Sequence, residues 1–122
     1  MKRDMELVRL LLLQQESGEE PPDLRSYDKE LVVYNAALMV DAGLLDGAVM
    51  RGEEGQPAGV SIIGLTWAGH DFLDSTRDPK IWKMAKEKLL KPGISWSFAL
   101  LVEYLKGQAH KKLFGQTGAT PE

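Results

Sequence analysis

The chain has 122 residues, no cysteine and a formal net charge of −3. That length suffices for one hydrophobic core, and the missing thiols exclude a disulfide framework and a thiolate metal site, which fits a reducing cytoplasm. No apolar run approaches the roughly 20 residues that span a bilayer, and Asp4, Glu6 and Arg9 interrupt the start where a secretion signal would stay apolar, so we expect a cytoplasmic protein with no membrane partner.

Residues 4–16 have helical spacing, with Asp4 and Glu6 where carboxylates favour a helix N-terminus and Met5, Val8, Leu11 and Leu12 on the core face. Leu10 and Leu13 fall on the other side, so this helix needs a second cover. "SGEEPPD" reads as a surface loop. A helix over 28–42 follows, capped by Asp28 with Ser26 in competition; it buries Val32, Ala36, Met39 and Val40 and turns Lys29, Val33, Tyr34 and Ala37 outward, with Asn35 at the boundary. Gly43 stands where a helix end wants positive φ, which a residue without Cβ takes at no steric cost.

Strands at 45–51 and 59–66 flank the polar, glycine-rich "RGEEGQPAG", which reads as a hairpin tip. Helices follow at 67–76, at 79–90 with Asp78 as cap and Pro79 in its first turn, and at 95–113 with Phe98, Leu101, Val102, Leu105 and Ala109 as its stripe. Helix, hairpin, helix in this order is the second half of a winged helix-turn-helix. We therefore expect a mainly α fold with a small two-stranded β-wing: a winged-helix domain at 1–76, a helical extension at 77–114 that packs on it or on a dimer mate, and a disordered tail at 115–122.

The start Met1-Lys2-Arg3-Asp4-Met5, the helix end "LMVDAGLL", the block "LTWAGHDFLD" from Leu65 and the segment Arg77-Asp78 with Ile81-Trp82 together resemble the bacterial and phage-associated family known as domain of unknown function 2513. The resemblance covers nearly the whole chain. It implies a winged-helix fold, often in prophage or mobile-element surroundings, and no characterised activity.

Little points to catalysis, and we expect neither an enzyme nor a cofactor. His70 and Asp74 share a helical face at i,i+4 but lack the further ligands a metal needs, and we expect His70 to be half-buried with its ring capping a backbone group. Ser61, Ser95 and Ser97 have no nucleophile elbow, and the carboxylates of "GEEG" would repel phosphate. Trp67, Trp82 and Trp96 read as core anchors.

In winged helices the exposed face of the second helix here enters the major groove. The expectation is accordingly a DNA-binding protein, a transcriptional regulator of phage or mobile-element origin, with Lys2, Arg3, Arg25, Lys29, Val33, Tyr34, Asn35, Arg51 and Gln56 toward double-stranded DNA. Charge argues against it: residues 1–79 hold 7 Lys and Arg against 15 Asp and Glu, a net of −8, whereas 80–112 hold 8 Lys against Glu87 and Glu103, a net of +6. Phosphate contacts come from cations, so Lys80, Lys83, Lys86 and Lys88 form an alternative basic contact. The competing class is a protein-interaction module on the same scaffold, a homodimer or an adaptor, with Leu10, Leu13, Phe98, Leu101, Val102 and Leu105 as its interface.

Overall fold

The computed structural model describes residues 1–91, 93 and 95–115. The chain divides into two compact units, Met1–Leu73 and Asp74–Glu122, with the division inside a helix. It is mainly helical with one two-stranded antiparallel sheet between helices, an order compatible with a small winged-helix-like fold.

The first unit begins with α1, Met5–Ser17. Its N-cap is Asp4, whose carboxylate accepts the backbone N–H groups of Glu6 and Leu7 and so satisfies two donors that have no partner inside the helix. Gly18 ends it at φ 77°. Leu7, Val8, Leu10, Leu11 and Leu12 are all buried, the all-round apolarity the sequence displays. The segment expected as a loop contains a 3₁₀ turn, Pro22–Ser26, held under the core by buried Leu24.

Helix α2, Lys29–Asp41, packs on α1 and on both strands. Asp28 stands at its N-cap without a side-chain cap bond. Asn35, Ala36, Ala37 and Met39 are buried, whereas Val32 and Val40, expected inside, are half-buried. Asn35, expected at the boundary, and Ala37, expected outside, both lie in this face, because the Asn35 amide has its donors and acceptor all occupied within the fold.

The left-handed residue after α2 is Gly43, at φ 81°. Strand β1, Leu45–Arg51, and strand β2, Pro57–Leu65, then pair antiparallel with register shifts between Asp46 and Gly47 and between Met50 and Arg51. The first shift leaves Ile63 between two paired neighbours, and it is 79% exposed. Helix α3, Trp67–Ser75, starts where Thr66 locks two segments: its hydroxyl donates to Gly43 O and accepts Gly69 N–H, while its own N–H reaches Leu44 O. Trp67 is 89% exposed, which removes it from the expected core anchors, and His70 is exposed where a half-buried ring was expected. Trp67 faces outward because Gly69, Phe72 and Leu73 seat the opposite side of α3.

In the second unit, α4, Pro79–Lys88, packs against α5, Phe98–His110, which continues through a π turn, Lys111–Gly115. Asp78 caps α4 by accepting the N–H groups of Lys80 and Ile81, and its carboxylate also takes the Lys112 ammonium. The Lys112 contact first, then the backbone bonds, hold its carboxyl below the usual carboxylate range. A depressed folded pKa adds stability above the unfolded value, so this contribution is lost as pH falls through the folded pKa, below about 4. Ser97 caps α5 through Leu100 N–H, two residues later than the expected start at Ser95. The expected tail begins inside the π turn at Gly115, and residues 116–122 lie outside the described residues.

Candidate macromolecule-docking face

A groove of about 640 Å³ lies between α2 and the start of β2, lined by Met1, Lys29, Glu30, Val33, Tyr34, Gln56, Pro57 and Ala58. Four of the residues expected to face DNA, Lys29, Val33, Tyr34 and Gln56, therefore share one concavity. A second groove of about 500 Å³ is lined by Gln14, Glu20, Leu24, Arg25, Tyr27, Lys29, Val32 and Val33. Lys29 and Val33 line both and form the ridge between them.

The remaining expected contacts are placed otherwise. Asn35 is fully buried and cannot touch a base. Its Oδ1 accepts Asp4 N–H at 2.9 Å, and its Nδ2 donates to Lys2 O at 3.3 Å and to Leu31 O at 3.1 Å. It is a staple that ties the N-terminal segment to α2. This arrangement sets Met1, one residue before the stapled segment begins, in the lining of the groove. Asn35→Ala would strand the Asp4 N–H and is expected to cost about 1–3 kcal/mol, read as a lower melting temperature by circular dichroism; an unchanged temperature would contradict the staple.

Arg51 donates to Asp41 Oδ2 at 2.8 Å and to Gly55 O at 3.1 Å. Gln56 accepts Glu54 N–H, so both hairpin residues hold the tip's own shape. Arg25 pairs with Glu20 at 3.1 Å in the open. Each exposed ion pair is worth little in stability, yet each places a carboxylate beside the cation a phosphate would need. Burial first, then the Asp4, Glu6 and Asp23 carboxylates, push the Tyr27 phenol above its ordinary pKa. The first unit, residues 1–73, carries 6 Lys and Arg against 13 Asp and Glu, a net of −7.

Exposure along α2 bears most directly on recognition. From Leu31 to Val40 every residue is buried or half-buried, and the helix is fully exposed only at Lys29, Glu30 and Asp41. No sequence signal marked this, since Leu31, Val33 and Leu38 were free to be assigned to an outer face.

The expected dimer stripe is also largely used within the chain. Leu10, Leu101 and Leu105 are buried in the single chain, which takes them off any surface a mate could reach, and Leu13, Phe98 and Val102 are half-buried. Counting apolar residues overestimated the surplus because both helices are apolar on more than one side. Among the described residues no group of three or more His, Asp or Glu could hold a metal, and Asp74 pairs with Arg77 Nε at 2.8 Å, away from the role considered with His70. No helix of the described residues is long and apolar enough to cross a membrane.

No solved structure matches the chain. An uncharacterized protein of Haemophilus influenzae (strain ATCC 51907 / DSM 11121 / KW20 / Rd) is 30% identical over 103 residues, covering 80% of this chain and 86% of that protein. The family model described as hypothetical protein (DUF2513) matches residues 2–95, the span that carries α1 through α4, and the chain belongs to that family.

Proposed function

We propose that the chain is a protein-interaction module on a winged-helix-like scaffold, which docks a basic partner segment in the groove between α2 and the hairpin. The observation that carries this reading is the lack of an exposed face along Leu31–Val40. A helix that reads base edges must project side chains into the major groove. This one offers a concavity whose walls are Val33, Tyr34, Pro57 and Ala58, the type of apolar pocket that receives a partner's anchor side chain. Glu30 at the rim and the net charge of −7 on the first unit favour a cationic partner.

The second reading is regulation through double-stranded DNA held by α2 and the wing. The convergence of Lys29, Val33, Tyr34 and Gln56 on one groove supports it. It is short of cations for phosphate: Arg25 and Arg51 already face carboxylates, which leaves Lys29 at the groove.

Selection of a random dodecapeptide library on the immobilised protein separates the two. The expected outcome is a consensus of an apolar anchor flanked by Lys or Arg, with at least tenfold weaker binding to Val33→Asp and to Tyr34→Ala. Circular dichroism of both variants guards against unfolding. A library that yields no consensus, or a consensus bound equally by both variants, would defeat the docking-groove reading.

A further inference from the structure

We infer that the junction of β2 and α3 carries a second docking surface, which binds an arginine-bearing apolar segment of a partner protein. The inference stands apart from the groove at α2 and does not depend on it.

Trp67 and Ile63 are the two most exposed large apolar side chains among the described residues, at 89% and 79%. Single exposed apolar residues are ordinary on a protein surface. This pair is not scattered, since four residues of chain hold the two within about 14 Å of each other at Cα. Each is also turned outward by a built feature. Ile63 is the extra residue of a β-bulge, between Ile62, which pairs with Gly47, and Gly64, which pairs with Asp46; a bulge of this kind re-aims a side chain and gives up a ladder pair to do so. It relies on Gly47, because a Cβ there would run into Ser61 O. Trp67 opens α3 on the side opposite buried Gly69, Phe72 and Leu73. Among the described residues its indole has neither a hydrogen bond nor a ring contact.

Charge identifies the occupant. Asp71 stands one turn from Trp67 on the same face of α3, and Asp46 lies opposite Gly64, the residue after Ile63. Both are exposed, and among the described residues neither has an ion-pair partner. Asp74, further along the helix, is held by Arg77. From Leu44 to Ser75 the sequence has one Lys or Arg, Arg51, and Asp41 holds it. An apolar pair flanked by free carboxylates complements a cation carried on an aliphatic stem. Arginine meets both parts at once: its planar guanidinium stacks on an indole face, and its N–H fork donates to a carboxylate. The compact, strongly hydrated lysine ammonium gains less from the indole. A nucleic acid or an anionic membrane would be repelled by the two carboxylates.

The test titrates the ¹⁵N-labelled whole chain with the capped peptide acetyl-Gly-Leu-Arg-Leu-Gly-amide and with its lysine and citrulline counterparts, to about 10 mM. The arginine peptide is expected to shift the Trp67 indole Nε1–H and the Ile63 and Asp71 amides saturably, with at least threefold higher affinity than the lysine peptide. The citrulline peptide, which keeps the shape and lacks the charge, should give no saturable shift. Asp71→Asn is expected to weaken binding at least threefold and Trp67→Ala at least fivefold, both read at the Ile63 amide. Both side chains are exposed, so circular dichroism should return the parent's melting temperature; should Trp67→Ala fail that check, Ile63→Ser replaces it, with at least a threefold loss expected. Tyr34→Ala should leave the affinity within twofold, which separates failure here from failure of the groove. Four results would overturn the inference: an unmoved Trp67 indole, equal affinity for the arginine peptide and either counterpart, binding that survives the folded variants, or loss with Tyr34→Ala instead. Sedimentation velocity showing a dimer that Trp67→Ala dissolves would give the surface to a second copy and overturn it equally.

Discussion

Gly69→Ala is expected to remove most of the stability of the first unit. A Cβ built on Gly69 would lie 2.1 Å from Leu44 O and 3.1 Å from Leu44 C, so the methyl meets backbone and not a side chain that could rotate away. That backbone is doubly fixed, because Leu44 N–H bonds to Met39 O and Leu44 O accepts Thr66 N–H. The block Leu65-Thr66-x-x-Gly69 is thus one mechanical joint: Thr66 caps α3, reaches the turn after α2, and Gly69 lets α3 lie against it. Forced overpacking costs about 3 kcal/mol where nothing can yield, and in a unit of this size that lowers the melting temperature by more than about 10 °C. Gly64→Ala is the control, since a Cβ there meets nothing within 4 Å. Equal melting temperatures for the two variants would refute the joint.

Met39→Asp is expected to unfold the same unit outright. Met39 is 2% exposed at the centre of the α2 core face, so the substitution loses a buried apolar side chain and seats a carboxyl with no partner. The packing loss alone is about 2–5 kcal/mol, and the stranded carboxyl adds several more. Together these match or exceed what holds a small domain together. A folded variant with the parent's melting temperature would mean that α2 is turned the other way.

Much of this architecture was legible because its signals are local. Asp4, Asp78 and Gly43 act through one turn of backbone, and the strands and helix starts they delimit fall within a few residues of expectation. The errors cluster where a residue's role is set by something distant in the chain. Asn35 was assigned to a base edge because an amide on a helix looks solvent-facing, and its partners at Lys2 and Asp4 lie more than 30 positions away. Arg51 was offered to phosphate although Asp41, ten residues earlier, already holds it. Trp67 was read as a core anchor from its place at the start of an apolar helical pattern, yet the buried side of α3 lies opposite it. For the candidate site, the sequence pointed to α2 and the wing; what it could not show is that Lys29, Val33, Tyr34 and Gln56 line one concavity.

The docking groove permits one decisive measurement. Random-sequence duplex DNA is titrated at low salt into ¹⁵N-labelled protein while backbone amide shifts are followed. We predict that Lys29, Val33, Tyr34 and the hairpin tip 52–56 stay within the scatter of uninvolved residues. Shifts concentrated on α2 and the hairpin would contradict the account and restore α2 as a DNA-reading helix.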